Sequence, residues 1–209
     1  QVMHEVCQQK IFSERFKIFS RVAGEPVMYN FLFGLHKHQP VEFISYICFQ
    51  KYKTKLKQLN LPEYSFRISG KEGEEMILDP IRKKFVRLNP EEWVRQNFVQ
   101  YLINEGKYPP GLIAIEVMSK YNNLKKRVDI LIHDRSGRPV MIVECKSPDI
   151  SISDKVFDQI VCYNMGFRVP YLIVTNGLDH YACKMDIENS KYEFLLVIPL
   201  YSDLLPDSV

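Results

Sequence analysis

The chain has 209 residues, of which 46 % are hydrophobic and 25 % charged, the balance of a soluble globular protein with room for one domain and an extension. No run of eighteen apolar residues offers a membrane span, so no membrane partner is expected. The net charge of +3 is unevenly held: residues 1–56 carry 8 Lys/Arg and 4 Asp/Glu, which leaves 20 and 21 for residues 57–209, a net −1. A strongly basic domain is thereby excluded, and any affinity for nucleic acid must come from local patches.

Residues 1–56 differ from the rest of the chain. Apolar, aromatic stretches at 29–34 and 43–49 lack a clean period, and Lys51, Lys53, Lys55 and Lys57 come after them. This segment reads either as an appendage or as sequence from upstream of the true start, and no function is assigned to it. The chain begins at Gln1 rather than Met, which points to a fragment or a processed form, and its start lacks the order of a signal peptide. The five cysteines, Cys7, Cys48, Cys145, Cys162 and Cys183, contain no CxxC pair and read as reduced thiols of a cytoplasmic protein, without a zinc site.

From residue 57 a single domain is expected. Residues 64–69 alternate as a strand, 70–75 turn, and short strands at 76–79 and 84–88 flank Asp79-Pro80. Asn89, Pro90 and Glu92 then suit the N-cap, first-turn and capping-box positions of a helix. Val94, Phe98, Tyr101 and Leu102 form its apolar stripe, and Gly106 with Pro109-Pro110 ends it. Strands come next at 112–118, 128–133 and 140–146, with Ser136-Gly137 in the turn between the last two and Pro148 stopping the third. A helix is predicted from Asp154 to about Phe167, then a strand at 171–175 apolar enough to be buried on both faces. Asn176-Gly177 turns the chain into strands at 180–185 and 192–198. The order predicts an α/β protein with a mixed β-sheet flanked by helices.

The chemistry concentrates around Asp129 and Glu144-Cys145-Lys146. In a strand Glu144 and Lys146 share one face, and Cys145 joins Met141 and Val143 on the other. If the two strands pair, Asp129 approaches Glu144 from its neighbour. Two carboxylates suit Mg²⁺, with Mn²⁺ as a substitute, and such an ion activates water and neutralises phosphate charge. Lys146 is then placed to orient or deprotonate the water and to stabilise the transition state. For a third carboxylate, Glu91 continues the inward stripe of the first helix. Glu92 competes but is explained by capping, and Glu116 is the remaining choice. Taken alone, Asp…Glu-x-Lys fits a surface hairpin with ordinary salt bridges. Charged groups that interrupt apolar strands in this order of elements favour a site.

Other residues have plainer readings. Lys125-Lys126-Arg127 suits phosphate contact or a solvated loop. Arg95 and Gln96 suit either support of a metal pocket or an exposed helix face. Trp93 reads as packing, and His133 and His180 as strand-face residues.

Residues 59–200 resemble the N-terminal nuclease domain of type I restriction enzyme R subunits, in a short stand-alone form, within the PD-(D/E)XK nuclease superfamily. The stretches that carry the resemblance are Pro90-Glu-Glu-Trp-Val-Arg-Gln96, Arg127-Val-Asp-Ile130, Val143-Glu-Cys-Lys-Ser-Pro148, Gln159-x-x-x-Tyr163 and Thr175-Asn-Gly177. It implies a restriction-endonuclease-like core with Asp129 and Glu144 as metal ligands and Lys146 as the catalytic lysine. It also implies that Gln159 and Tyr163, one helical turn apart, position the site or the DNA strand. Val128 stands where the superfamily has its proline, and no GxxxxGK[ST] loop occurs, so an ATP-driven DNA motor is not expected. The expected activity is Mg²⁺-dependent hydrolysis of DNA phosphodiesters, with partner subunits or a homodimer. The alternatives are a nucleic-acid- or partner-binding module with little catalysis, and a nuclease acting on RNA or branched DNA.

Overall fold

A computed structural model describes residues 56–204 apart from Glu72, Asn122, Asn123 and Ser190. The extension expected over residues 1–56 lies outside the described residues except for Leu56. The described elements run β1 (Ile68–Ser69), β2 (Met76–Asp79), β3 (Lys84–Arg87), α1 (Pro90–Asn104), β4 (Ile113–Tyr121) and β5 (Leu124–His133). They continue with β6 (Pro139–Cys145), α2 (Asp154–Phe167), β7 (Tyr171–Thr175), β8 (His180–Asp186) and β9 (Lys191–Leu195).

Strands β4 to β9 form one sheet in sequence order, and β1 to β3 form a small antiparallel sheet beside it. Every neighbouring pair in the large sheet is antiparallel except β6 and β7, which run parallel. A parallel pair needs a crossover, and α2 supplies it. The two helices cover opposite faces. On one, Val94, Phe98 and Leu102 of α1 pack on Ile130, Ile132, Met141, Val143 and Ile173. On the other, Phe157, Ile160 and Val161 of α2 pack on Leu131, Ile142, Leu172 and Val174. The period-2 alternation of these strand residues dictates the three layers, and the fold is the α/β class with a mixed, helix-flanked sheet. Cys145 and Cys183 are free, buried, and on opposite faces.

Helix α1 starts as its sequence predicts: the Asn89 side chain accepts the Glu92 N–H at 2.8 Å, with Pro90 in the first turn. Other boundaries move. The strand expected over 64–69 is paired only at Ile68–Ser69, and the last strand stops at Leu195. β5 begins at Leu124, so Lys125, Lys126 and Arg127 lie within a strand, not in a loop.

The β4–β5 pair holds an irregularity that shapes the site. Ile115 pairs with Ile130 and Val117 with Val128, but Glu116 and Asp129 between them are not paired. Glu116 has φ +55°, a left-handed conformation costing a non-glycine residue about 1–3 kcal/mol. The strand faces switch there: Ile113, Ile115, Ile130 and Ile132 pack toward α1, whereas Ala114, Val117, Val128 and Leu131 pack toward α2. β6 pairs with β5 only from Ile130 to His133, so the two strands part between Asp129 and Glu144.

The turn after β7 is also tightly specified. Gly177 has φ +81°, and its carbonyl accepts the Asn60 N–H at 2.7 Å. A Cβ at this position would lie 2.7 Å from Leu59 Cδ2 and 3.1 Å from Val94 Cγ2. Gly177→Ala therefore combines an unfavourable φ with overpacking, and a loss of about 1–3 kcal/mol in urea unfolding is expected. An unchanged midpoint would show that the 59–61 segment yields freely.

Candidate active site

Where β5 and β6 part, Cys145 loses a strand partner for its N–H. The carboxylate of Asp129 takes that place, with Oδ2 accepting the Cys145 N–H at 2.7 Å. Asp129 is thus fixed between the strands, and it is 6 % exposed. Glu144, 4 % exposed, sits one residue before Cys145, and its Oε1 accepts from Lys146 Nζ at 2.7 Å. The Lys146 N–H donates to Thr175 of β7 at 2.8 Å, so the lysine's backbone is anchored to the sheet.

The first turns of α1 face this point. Arg95 Nη2 donates to Asp129 Oδ1 at 2.7 Å and to Glu91 Oε1 at 3.4 Å. Its Nη1 bonds Glu92 Oε2 and lies 3.7 Å from Glu116 Oε1. Arg82, after β2, bonds Asp79 and Glu116 and reaches Glu92 Oε1 at 3.1 Å. Arg127 reaches Glu116 Oε1 at 3.0 Å, and Gln96 Nε2 donates to Glu92 Oε1 at 2.7 Å. These bonds explain how Glu116 is held in its unusual backbone conformation.

Several sequence expectations need correction here. Capping accounts for the Glu92 N–H but not for its carboxylate, which is buried among Arg82, Arg95 and Gln96. Arg95 and Gln96 do not form an exposed helix face, since both are buried. Glu116 is bound by Arg82 and Arg127. Of the three candidate third carboxylates, Glu91 keeps the most solvent access, with its side chain 41 % exposed. Asp79 and Arg82 were missed. Their link to the site spans up to 34 residues of sequence, and no short spacing signals it.

The electrostatics arise from burial and like charge. Burial, and then the charge of Asp129, push the Glu144 carboxyl up to about 7 against the opposing pull of Lys146. The same two causes raise Glu91. Burial alone would lower the Lys146 ammonium, but the hydrogen bond and charge of Glu144 outweigh it, and its pKa lies above the usual lysine value. Asp129, Glu144 and Glu91 thus repel one another through oxygen-donor groups, which is the character of a site for a hard divalent cation. Among the described residues, no cluster of three or more His, Cys, Asp or Glu stands at metal-binding spacing. Mg²⁺ needs only one or two carboxylates beside waters and phosphate oxygens, so the Asp129–Glu144 pair fits it.

The family model of the type I restriction enzyme R protein N terminus (HSDR_N) matches residues 90–199. The chain belongs to this family. The matched stretch holds every candidate site residue from Glu91 to Tyr163 and leaves Asp79 and Arg82 outside it. No curated protein matches the chain. Among solved structures it is similar to a fragment described as an HsdR subunit of a type I restriction enzyme from Vibrio vulnificus YJ016. The identity is 20 %, the TM-score 0.43, and the match covers 56 % of this chain and 24 % of that one. The chain therefore matches about a quarter of that relative's length.

The remaining candidates of this R-protein N-terminal domain lie on β5, α1, α2 and β8. Lys125 and Lys126 occupy β5, in register with Lys120 and Ser119 of β4, and Arg127 is exposed two residues before Asp129. Gln159 and Tyr163 are one turn apart on α2, and their side chains lie outside the described residues. Trp93 packs edge-on to Phe66 at 5.1 Å, and its indole N–H donates to the Lys57 carbonyl at 3.1 Å. His180 Nε2–H donates to the Asn60 carbonyl at 3.1 Å, so Nδ1 accepts the Thr175 hydroxyl at 2.7 Å. Burial holds this imidazole below its usual range, and it braces the β7–β8 turn as a neutral group. No helix of the described residues is long and apolar enough to cross a membrane.

Proposed function

We propose that this R-protein N-terminal domain hydrolyses DNA phosphodiester bonds with a divalent cation, Mg²⁺ or Mn²⁺, bound by Asp129 and Glu144 with Glu91 beside them. One observation carries the reading: two buried carboxylates, Asp129 on β5 and Glu144 on β6, flank the point where these strands part, and Lys146 is bonded directly to one of them. A divalent cation, when bound, lowers the pKa of its water and neutralises charge on the phosphate. Without the ion Lys146 is protonated beside Glu144, which suits it to orient the attacking water and stabilise developing negative charge.

The near-neutral domain engages DNA through local cations. Lys125, Lys126 and Arg127 precede Asp129 on β5 and serve as phosphate contacts, with Gln159 and Tyr163 positioning the strand from α2. Partner subunits or a second copy of the chain complete the assembly, and the setting is cytoplasmic. The test is nicking of plasmid DNA by the full chain with Mg²⁺ or Mn²⁺, beside Lys146→Ala. A fall of about a hundredfold or more is expected in the variant. Cleavage that survives Lys146→Ala removes this reading.

A second reading, a DNA- or subunit-binding module with little catalysis, is favoured by the Arg95 bond that already neutralises Asp129. It requires metal-independent DNA or subunit binding that Asp129→Asn leaves intact.

A further inference from the structure

We propose that Arg95 is the site's resident counter-cation: it neutralises Asp129 while no metal is bound and releases Asp129 Oδ1 when a divalent ion enters. The inference rests on the metal-site reading above. It is carried by the position of one guanidinium, whose side chain is 3 % exposed and is bonded on both sides. Nη2 serves Asp129 and Glu91, two of the three carboxylates of the proposed metal site. Nη1 serves Glu92 and faces Glu116, the carboxylates shared with Arg82.

This geometry makes the competition specific to one atom. Asp129 Oδ2 is committed to the Cys145 N–H, so Oδ1 is the oxygen that Arg95 and an incoming cation both seek. An arginine cannot relieve the conflict by losing its proton. It can relieve it by letting go, because Glu92 still holds Nη1. Breaking a buried ion pair is usually expensive because a charge is stranded. Here the released arm belongs to a guanidinium that keeps a buried carboxylate, and Asp129 exchanges one cation for another. Arg95 therefore sets the affinity of the site for metal without needing to be a ligand.

The test is calorimetric titration of Mn²⁺ into the full chain, beside Arg95→Gln and Asp129→Asn. The wild type is expected to bind, and Asp129→Asn to lose binding. Arg95→Gln is expected to bind about tenfold more tightly or better, since a unit positive charge a few ångströms from the ion has gone. Binding that is equal or weaker in Arg95→Gln, with Asp129→Asn still defective, overturns the role of Arg95 and leaves the metal site standing. No binding in either the wild type or Arg95→Gln, or full binding in Asp129→Asn, overturns both. A measurement on the wild type covers the event that Arg95→Gln does not fold. Titration with Mg²⁺ should shift the Arg95 guanidinium NMR signals and speed exchange of their protons. Signals that stay unchanged while the site saturates overturn the proposal.

Discussion

Glu144→Gln is expected to abolish metal-dependent cleavage while making the metal-free protein more stable at neutral and alkaline pH. The loss of activity should be at least about a hundredfold, because even partners outside the first coordination shell of a metal cost 10–100-fold. The gain in stability comes from burial and from the charge of Asp129, which raise the folded-state pKa of Glu144 to about 7, above the ordinary glutamate value of 4.5. Between these values the folded protein binds more protons than the unfolded chain, so its stability falls as pH rises through the window. The penalty is absent below about 4.5 and complete above about 7. Glutamine removes the titrating charge but keeps a carbonyl that can accept from Lys146. With chelator present, the two proteins should therefore unfold alike near pH 4.5. They should diverge toward pH 8, with the variant ahead by on the order of 2 kcal/mol. Urea midpoints at both pH values check this, and a wild type as stable as the variant at pH 8 would mean that Asp129 and Glu144 do not repel as placed. Saturating Mg²⁺ should raise the midpoint of the wild type and leave the variant where it was.

The core of the fold was readable because burial writes itself into local periods. Val94, Phe98 and Leu102 recur at helical spacing, and Leu172, Ile173 and Val174 run without interruption because both faces of β7 are covered. The Asn89-Pro90 start of α1 was legible for the same local reason, since a cap involves residues three apart. The pairing of Glu144 with Lys146 is likewise a two-residue fact of a strand. What could not be read was long-range. The left-handed Glu116 carries no glycine or asparagine to announce it, because it is held from outside by Arg82, Arg95 and Arg127. The parting of β5 and β6 and the capture of the Cys145 N–H by Asp129 join residues sixteen apart in sequence, which no local pattern announces. For Arg95 and Gln96 the sequence left pocket support and an exposed helix face equally open, and the convergence of Asp79, Arg82 and Glu116 from other elements decides for burial.

That layer makes Glu92 the residue whose loss should cost the fold most. Its carboxylate accepts from Arg82, Arg95 and Gln96 and is only 5 % exposed as a residue. Glu92→Ala leaves the buried Arg95 and the partly buried Arg82 guanidinium groups sharing fewer carboxylates, and truncating one partner of a buried charge network costs about 3–5 kcal/mol. For a domain of this size that corresponds to a fall in Tm of roughly 6–20 °C. Glu92→Gln keeps the volume and one acceptor and should lose less. The comparison also separates structure from metal binding. A metal ligand would lose Mg²⁺ affinity with only a modest change in the stability of the chelated protein, whereas a network carboxylate loses stability with or without the ion. Thermal unfolding in chelator decides between them. A drop of under about 1 kcal/mol in Glu92→Ala would mean that Asp129 and Glu116 compensate both arginines by themselves. Arg95 would then be held at Asp129 more tightly, and the site would load metal less readily than in the wild type.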